Sequence, residues 1–279
     1  MPLMGLSKEL RVVISLEQAC SDTERAAEAA RNSASKVASQ SRALAKAART
    51  GNIAGIKRSQ EKLNEALTML QQEVSNAVVC WPFSEEEELE LFGRQFADAL
   101  KAAATAKGLQ IYERNGHLIS YPSIVRILPA DRAVRIDKKK VSTVRPLYLV
   151  DLLLANQKKS SGFSSQRFLQ SLYDVYSDVA TGASPDLLPE SGGRVVPLAR
   201  IYRLMTALPG SSREYDRSDF ARDLYILDSN GPRRTRNGHA VSFPSSTGAR
   251  KRSSDIFSYI GPNGDNAEYY GIRFSRDDE

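Results

Sequence analysis

The chain is poor in the residues that most often carry cross-links or chemistry. It has 2 cysteines, 2 histidines and 1 tryptophan among 279 residues. Cys20 and Cys80 form no CxxC pair and show no zinc-type spacing. That argues against a disulfide framework and suits a reducing compartment. Both cysteines fall in helical patterns, where packing is their expected role. With only His117 and His239 available, a zinc centre or a histidine-based triad has few candidate residues, so no metal and no cofactor are expected. Long hydrophobic runs are missing as well. No stretch approaches the ~20 apolar residues that a bilayer crossing requires. Met1 to Leu16 carries only a short apolar run, Val12, Val13 and Ile14, behind Arg11, so no secretory signal is expected. The expectation is a cytoplasmic chain without a membrane partner.

Catalytic signatures are also lacking. There is no GxxxxGK[ST] loop, GxSxG elbow or HExxH helix, and with them go the common routes to phosphoryl, acyl and metallo-hydrolytic chemistry. Asp131 with Asp137-Lys138-Lys139 has the residue types that hold magnesium beside a lysine in some nucleases. Its spacing is short for that use, and a turn around Ala130-Asp131-Arg132 explains the segment. The sequence therefore points to a non-enzyme and to no small-molecule substrate.

What is present is an ordinary globular balance, 41% hydrophobic and 26% charged, which argues against wholesale disorder. A formal net charge of +6 makes a polyanion or an acidic protein a fitting partner. The front of the chain carries heptads. Steps of four and three from Leu16 give Cys20, Thr23, Ala27, Ala30, Ala34, Val37, Ser41, Leu44 and Ala48; steps from Ile53 give Ile56, Gln60, Leu63, Leu67, Leu70, Val74 and Ala77. Such a repeat puts each set on one stripe of a helix. Thr50-Gly51-Asn52 between them fits a short turn. Residues 16–79 thus read as an antiparallel helical hairpin, within a first domain 1–83. Leu63, Leu67, Leu70 and Val74 are its candidate partner-binding residues, for another protein or for self-association. After Cys80-Trp81-Pro82-Phe83, Ser84 and Glu87 have the spacing of a capping box, and Glu85 to Glu88 suit a helix N-terminus.

A short duplication follows. Residues 114–123 read Arg-Asn-Gly-His-Leu-Ile-Ser-Tyr-Pro-Ser, and residues 236–245 read Arg-Asn-Gly-His-Ala-Val-Ser-Phe-Pro-Ser. Each copy is preceded by a helical Phe-Ala-x-x-Leu pattern (Phe96 to Leu100; Phe220 to Leu224) and followed by strand-like runs. Asn-Gly is a strong signal for a type I′ hairpin. The expected architecture is helix-rich α+β: the hairpin, then two related units of helix plus three-stranded β-meander, spanning 84–160 and 161–279. Arg114 and His117, and Arg236 and His239, would stand at hairpin tips and could meet phosphate.

In the second unit, Phe163 to Ala180, Pro197 to Leu208 and residues 217–228 have helical spacing. A hairpin follows. Over 195–275 this order resembles a winged helix, and two such units in tandem resemble accessory subunits of bacterial DNA-organising or DNA-defence ATPase complexes. The resemblance implies a DNA partner and a reading helix that presents Arg217, Ser218 and Arg222, although Asp219, Asp223 and Asp228 on the same helix oppose tight base reading. Residues 229–254 hold Arg233, Arg234, Arg236, Arg250, Lys251 and Arg252 and no acid after the helix end. The first unit has Arg132, Arg135, Lys138, Lys139, Lys140 and Arg145. Such clusters neutralise phosphates without reading sequence. The sequence expectation is a nucleic-acid-binding accessory protein that contacts DNA phosphates through basic β-hairpin loops. The alternative is a protein-interaction subunit of a larger, ATPase-containing complex that works through the helical hairpin.

Overall fold

The structure, a computed structural model, describes residues 14–158, 163–181, 193–244 and 255–276. It divides into two compact units, one formed by Met1–Ala103 with Thr143–Leu149 and the other by Ala104–Ser142 with Val150–Glu279. These boundaries differ from breaks at 83 and 160.

In the first unit, α1 (Leu16–Arg49) and α2 (Ile53–Val79) pack along their length. Ser15 caps α1 and Asn52 caps α2, each side chain accepting a backbone N–H three residues on, which satisfies donors that the helix itself leaves open. Gly51 closes the turn at φ +66°, where a side chain would be strained. After the break at Pro82, the capping box forms at the start of α3 (Glu85–Glu90): Glu87 N–H donates to Ser84 Oγ, and Ser84 N–H donates to Glu87 Oε2. A π-turn at Leu91–Gln95 leads into α4 (Phe96–Ala106), and Phe92 stacks on Phe96 at 4.9 Å. Arg145, expected in a basic surface cluster, is instead occupied inside this unit. Its guanidinium lies 2.6 Å from both Glu17 and Glu24.

The second unit opens with a sheet of five strands in chain order: β1 (Tyr112–Arg114), β2 (His117–Ser120), β3 (Ser123–Leu128), β4 (Ala133–Ile136) and β5 (Lys139–Val141). Alternation along β2 and β3 sends Ile119 and Ile124 into one core, while Leu118 and Val125, on the other face, are buried too. α5 (Pro146–Lys158) and α6 (Ser165–Thr181) follow. Next come β6 (Val196–Pro197), α7 (Leu198–Met205), the short α8 (Ser211–Glu214), α9 (Arg217–Asn230) and β7 (Ala240–Ser242). β8 (Phe257–Ile260) and β9 (Asn266–Tyr269) pair with each other, and β10 (Gly271–Ser275) lies between β6 and β7.

Ile119 and Ile124 share one buried cluster with Leu169, Leu172, Tyr176, Leu198, Phe220, Leu224, Phe257 and Phe274. The first sheet and the C-terminal elements therefore have a common core, and the two segments expected as separate related units are not built alike. The first copy of the repeat starts a sequential meander. The second copy feeds β7, which pairs with β10 some thirty positions on, because β8 and β9 pair with one another. The turns differ as well. Arg114 pairs directly with His117 across Asn115 (φ 51°) and Gly116 (φ 74°). In the second copy Thr235 N–H donates to the His239 carbonyl and Gly238 N–H to the Thr235 carbonyl, with positive φ at Gly238 alone. The expected type I′ turn forms in the first copy; the second has a longer loop that takes in Arg236.

Candidate functional site

The densest polar constellation is at the start of α9. Asp216 caps the helix: its Oδ1 accepts from Ser218 N–H at 2.8 Å and Asp219 N–H at 3.1 Å. Its Oδ2 accepts from Arg126 of β3, at 3.0 Å from Nε and 2.8 Å from Nη2. The same Nη2 donates to Asp219 Oδ2 at 2.8 Å. Both members of the Arg126–Asp219 pair are buried, with side chains 10% and 3% exposed. One turn further on, Arg222 lies 2.8 Å from Asp137 Oδ1 and 2.9 Å from Asp223 Oδ1. Asp137 stands at positive φ in the β4–β5 turn and also accepts from Ile124 N–H. Tyr215 Oη donates to Asp223 at 2.7 Å.

Burial sets the titration of this cluster, and charge partners modify it. Burial pushes the Asp216 carboxyl up, but hydrogen bonds from His117 and the Asp219 amide, with the Arg126 guanidinium, bring it well below the usual carboxylate range. Burial raises Asp223 in spite of Arg222 and Tyr215. Arg222 is driven down by burial, yet Asp223, Asp137 and Asp219 hold it above its ordinary value. The network ties the meander sheet to α9 through opposite charges, while Asp219 Oδ1 stays buried without a hydrogen bond among the described residues.

This arrangement corrects one predicted binding residue outright. Arg222 is held among three carboxylates with its side chain 12% exposed, because burying that face of α9 needs a counter-ion for Asp219 and Asp223. Around it Asp219, Phe220, Ala221, Asp223, Leu224, Tyr225 and Leu227 are all buried, so the middle of α9 is committed to the core and its exposed positions, Arg217, Ser229 and Asn230, are at its ends. Other predicted contacts are partly occupied. His117 is 3.5 Å from Asp216, and Arg114 Nη1 donates to Asn266 at 2.6 Å. Arg217 stacks over Phe257, 4.0 Å from the ring centroid, and donates to the Ile256 carbonyl. His239 lies against Tyr173, with ring centroids 4.7 Å apart.

The remaining basic residues are more accessible. Arg233, Arg234 and Arg236 are exposed on the loop after α9, with Arg233 paired to Asp228 at 2.8 Å. Lys138, Lys139 and Lys140 are exposed at the β4–β5 end of the sheet, with Lys140 paired to Asp131. Arg250, Lys251 and Arg252 lie outside the described residues, as do Val12 and Val13. Sequence reasoning did not pick out Arg126, although an arginine inside Ser123-Ile-Val-Arg-Ile-Leu is a signal: a charge in the middle of an apolar strand needs a buried partner.

A cleft of about 700 Å³ borders the network, lined by Asp137, Lys138, Arg167, Ser171, Arg222 and Asp223 among others. Its acids, Asp137 and Asp223, are both already bound to Arg222. Asp131 and Asp137 flank opposite ends of β4, so they do not form a pair. Among the described residues no group of three or more His, Cys, Asp or Glu side chains is placed to hold a metal ion.

The helical hairpin provides a second surface. The inward positions of α1 are Thr23, Ala26, Ala30, Ser33, Val37, Gln40, Leu44 and Ala47; those of α2 are Ile56, Ser59, Leu63, Ala66, Leu70, Glu73 and Ala77. Part of each expected seam is right. The rest, Ala27, Ala34, Ser41 and Ala48 on α1 and Ile53, Gln60, Leu67 and Val74 on α2, is exposed. Leu63 and Leu70 therefore pack within the hairpin, while Leu67 and Val74 do not. In heptad terms the exposed set occupies the position after the inner one on both helices, and in an antiparallel pair those positions lie along the same flank. Lys36, Lys62 and Met69 line the opposite groove. Among the described residues no helix is long and apolar enough to cross a membrane. Comparison of the chain with protein-family models, with curated proteins and with solved structures gives no match.

Proposed function

We propose that the chain is a cytoplasmic, non-catalytic assembly protein that docks onto a protein partner through one flank of its helical hairpin. One observation carries this reading. No residue of α2 is buried, and Ile53, Leu67, Val74 and Val78 are 71%, 41%, 45% and 76% exposed. Large apolar side chains left exposed along one flank of a helix pair mark an interaction surface. Covering the part of Leu67 and Val74 that is still exposed would contribute about 1 kcal/mol each. The test is a photo-crosslinking residue placed at Leu67 in the full chain in cells, with Lys62 on the opposite flank as control. An adduct at 67 and none at 62 is expected; no adduct at 67 sinks the reading.

The carboxylates best placed for chemistry are held by guanidinium and amide donors, which supports a non-catalytic role. A second reading, contact with DNA phosphates, is favoured by the exposed Arg233, Arg234 and Arg236 within a single loop. The order α6, β6, α7, α9, β7, β10 with β10 central supports a winged-helix kinship, with β8 and β9 inserted in the wing. Because α9 is covered, such contact would be to the backbone, without base readout. A gel shift with duplex DNA across a salt series tests it. Binding that weakens steeply with salt is expected, and no binding at low salt removes this reading.

A further inference from the structure

We propose that the partner seated on this flank is a second copy of the chain, giving a two-fold four-helix bundle. The inference rests on the docking reading above and adds the identity of the occupant. Its warrant is that the flank is its own complement. α1 contributes small residues, Ala27, Ala34, Ser41 and Ala48, while α2 contributes Ile53, Leu67 and Val74, all exposed. Both helices rise equally from the turn at Thr50-Gly51-Asn52, so Ala48 is level with Ile53, Ser41 with Gln60, Ala34 with Leu67 and Ala27 with Val74.

A two-fold axis along the hairpin sets α1 of each copy against α2 of the other at the same height. Each Leu67 then meets an Ala34 and each Val74 an Ala27, the large-against-small pairing that close helix packing needs. An isologous interface demands such self-complementarity. Ser41 opposite Gln60 is the polar level, and a polar pair in an apolar seam fixes register. At the rim, Glu24, with Arg145 bound to it, falls level with Val78, Arg31 with Gln71 and Ala45 with Lys57, so no like charges meet at these levels. The area also suffices. α2 has 27 residues, about 40 Å of helix, and two helices side by side give a face roughly 20 Å wide. That is about 800 Å² per copy, the size of a standard stable interface.

The test is sedimentation of the purified full chain from low to high micromolar concentration, together with the mass of the adduct formed by the crosslinker at Leu67. Expected are a species at twice the chain's mass, an adduct of that mass, loss of the dimer in Leu67→Glu/Val74→Glu, and its retention in Lys62→Glu. Ala34→Arg leaves the inner seam intact and is expected to dissociate the dimer as well; helicity by circular dichroism reports whether each variant folds. A chain that stays monomeric while Leu67 crosslinks to a different protein overturns the second-copy inference and leaves the docking reading standing. No adduct at all overturns both. A dimer that survives folded Leu67→Glu/Val74→Glu and Ala34→Arg places self-association elsewhere and overturns the inference.

Discussion

Arg126 is the residue on which most of the second unit's polar order turns. It bridges Asp216 and Asp219 and also donates to the Asp137 carbonyl at 3.3 Å. Removing one partner of a buried ion pair leaves an uncompensated charge, so Arg126→Met is expected to cost roughly 3–5 kcal/mol in urea unfolding. Asp216 predicts a pH effect. Its folded carboxyl ionises below the ordinary range, so its contribution is complete above the unfolded value and is lost as pH falls through the folded one. Asp216→Asn should flatten the acid limb of the stability profile; an unchanged acid limb would count against the network. Tyr259 tests the opposite case. Its hydroxyl is buried with no hydrogen-bond partner among the described residues. An unpaired buried donor is a cost, so Tyr259→Phe should leave stability unchanged or raise it by about 1 kcal/mol, read from the thermal midpoint.

At the scale of elements, the repeat shows how far local sequence reaches. Asn-Gly forms a two-residue turn in the first copy and part of a longer loop in the second, and of the two asparagines only Asn115 takes positive φ. Asn115→Ala should therefore cost about 1 kcal/mol in chemical denaturation, and Asn237→Ala close to nothing. Equal losses would show that the two turns are the same. The capping box at Ser84 was legible because a side chain and an amide three residues away decide it. The heptads were legible in period but not in phase. On α1 alanine and serine recur all round the helix, so neighbouring stripes are nearly equal in hydrophobicity. Packing chose the one with Ser33, where a small buried side chain lets α2 approach. The same ambiguity placed Leu67 and Val74 in the seam when they belong beside it.

For the whole molecule, the basic balance of the chain pointed to a polyanion as a fitting partner, and the structure redistributes that charge. Arg126, Arg145 and Arg222 are committed to internal acids, while the loop bearing Arg233, Arg234 and Arg236 keeps its cations outward. If phosphate contact occurs there, Arg234→Glu/Arg236→Glu should weaken duplex binding and reduce its salt slope by about 2, with no change in the unfolding midpoint. What the sequence alone determined was the period of the helices, the first Asn-Gly turn, the Ser84 capping box and the presence of a mixed helix-and-strand half, since each is settled by residues within a few positions of one another. Which heptad stripe faces inward, which arginines are buried and which strands pair were decided only by the tertiary structure. Those outcomes depend on partners such as Asp216 for Arg126 and Asp137 for Arg222, 90 and 85 positions away. A charge is buried only where a distant opposite charge arrives to meet it.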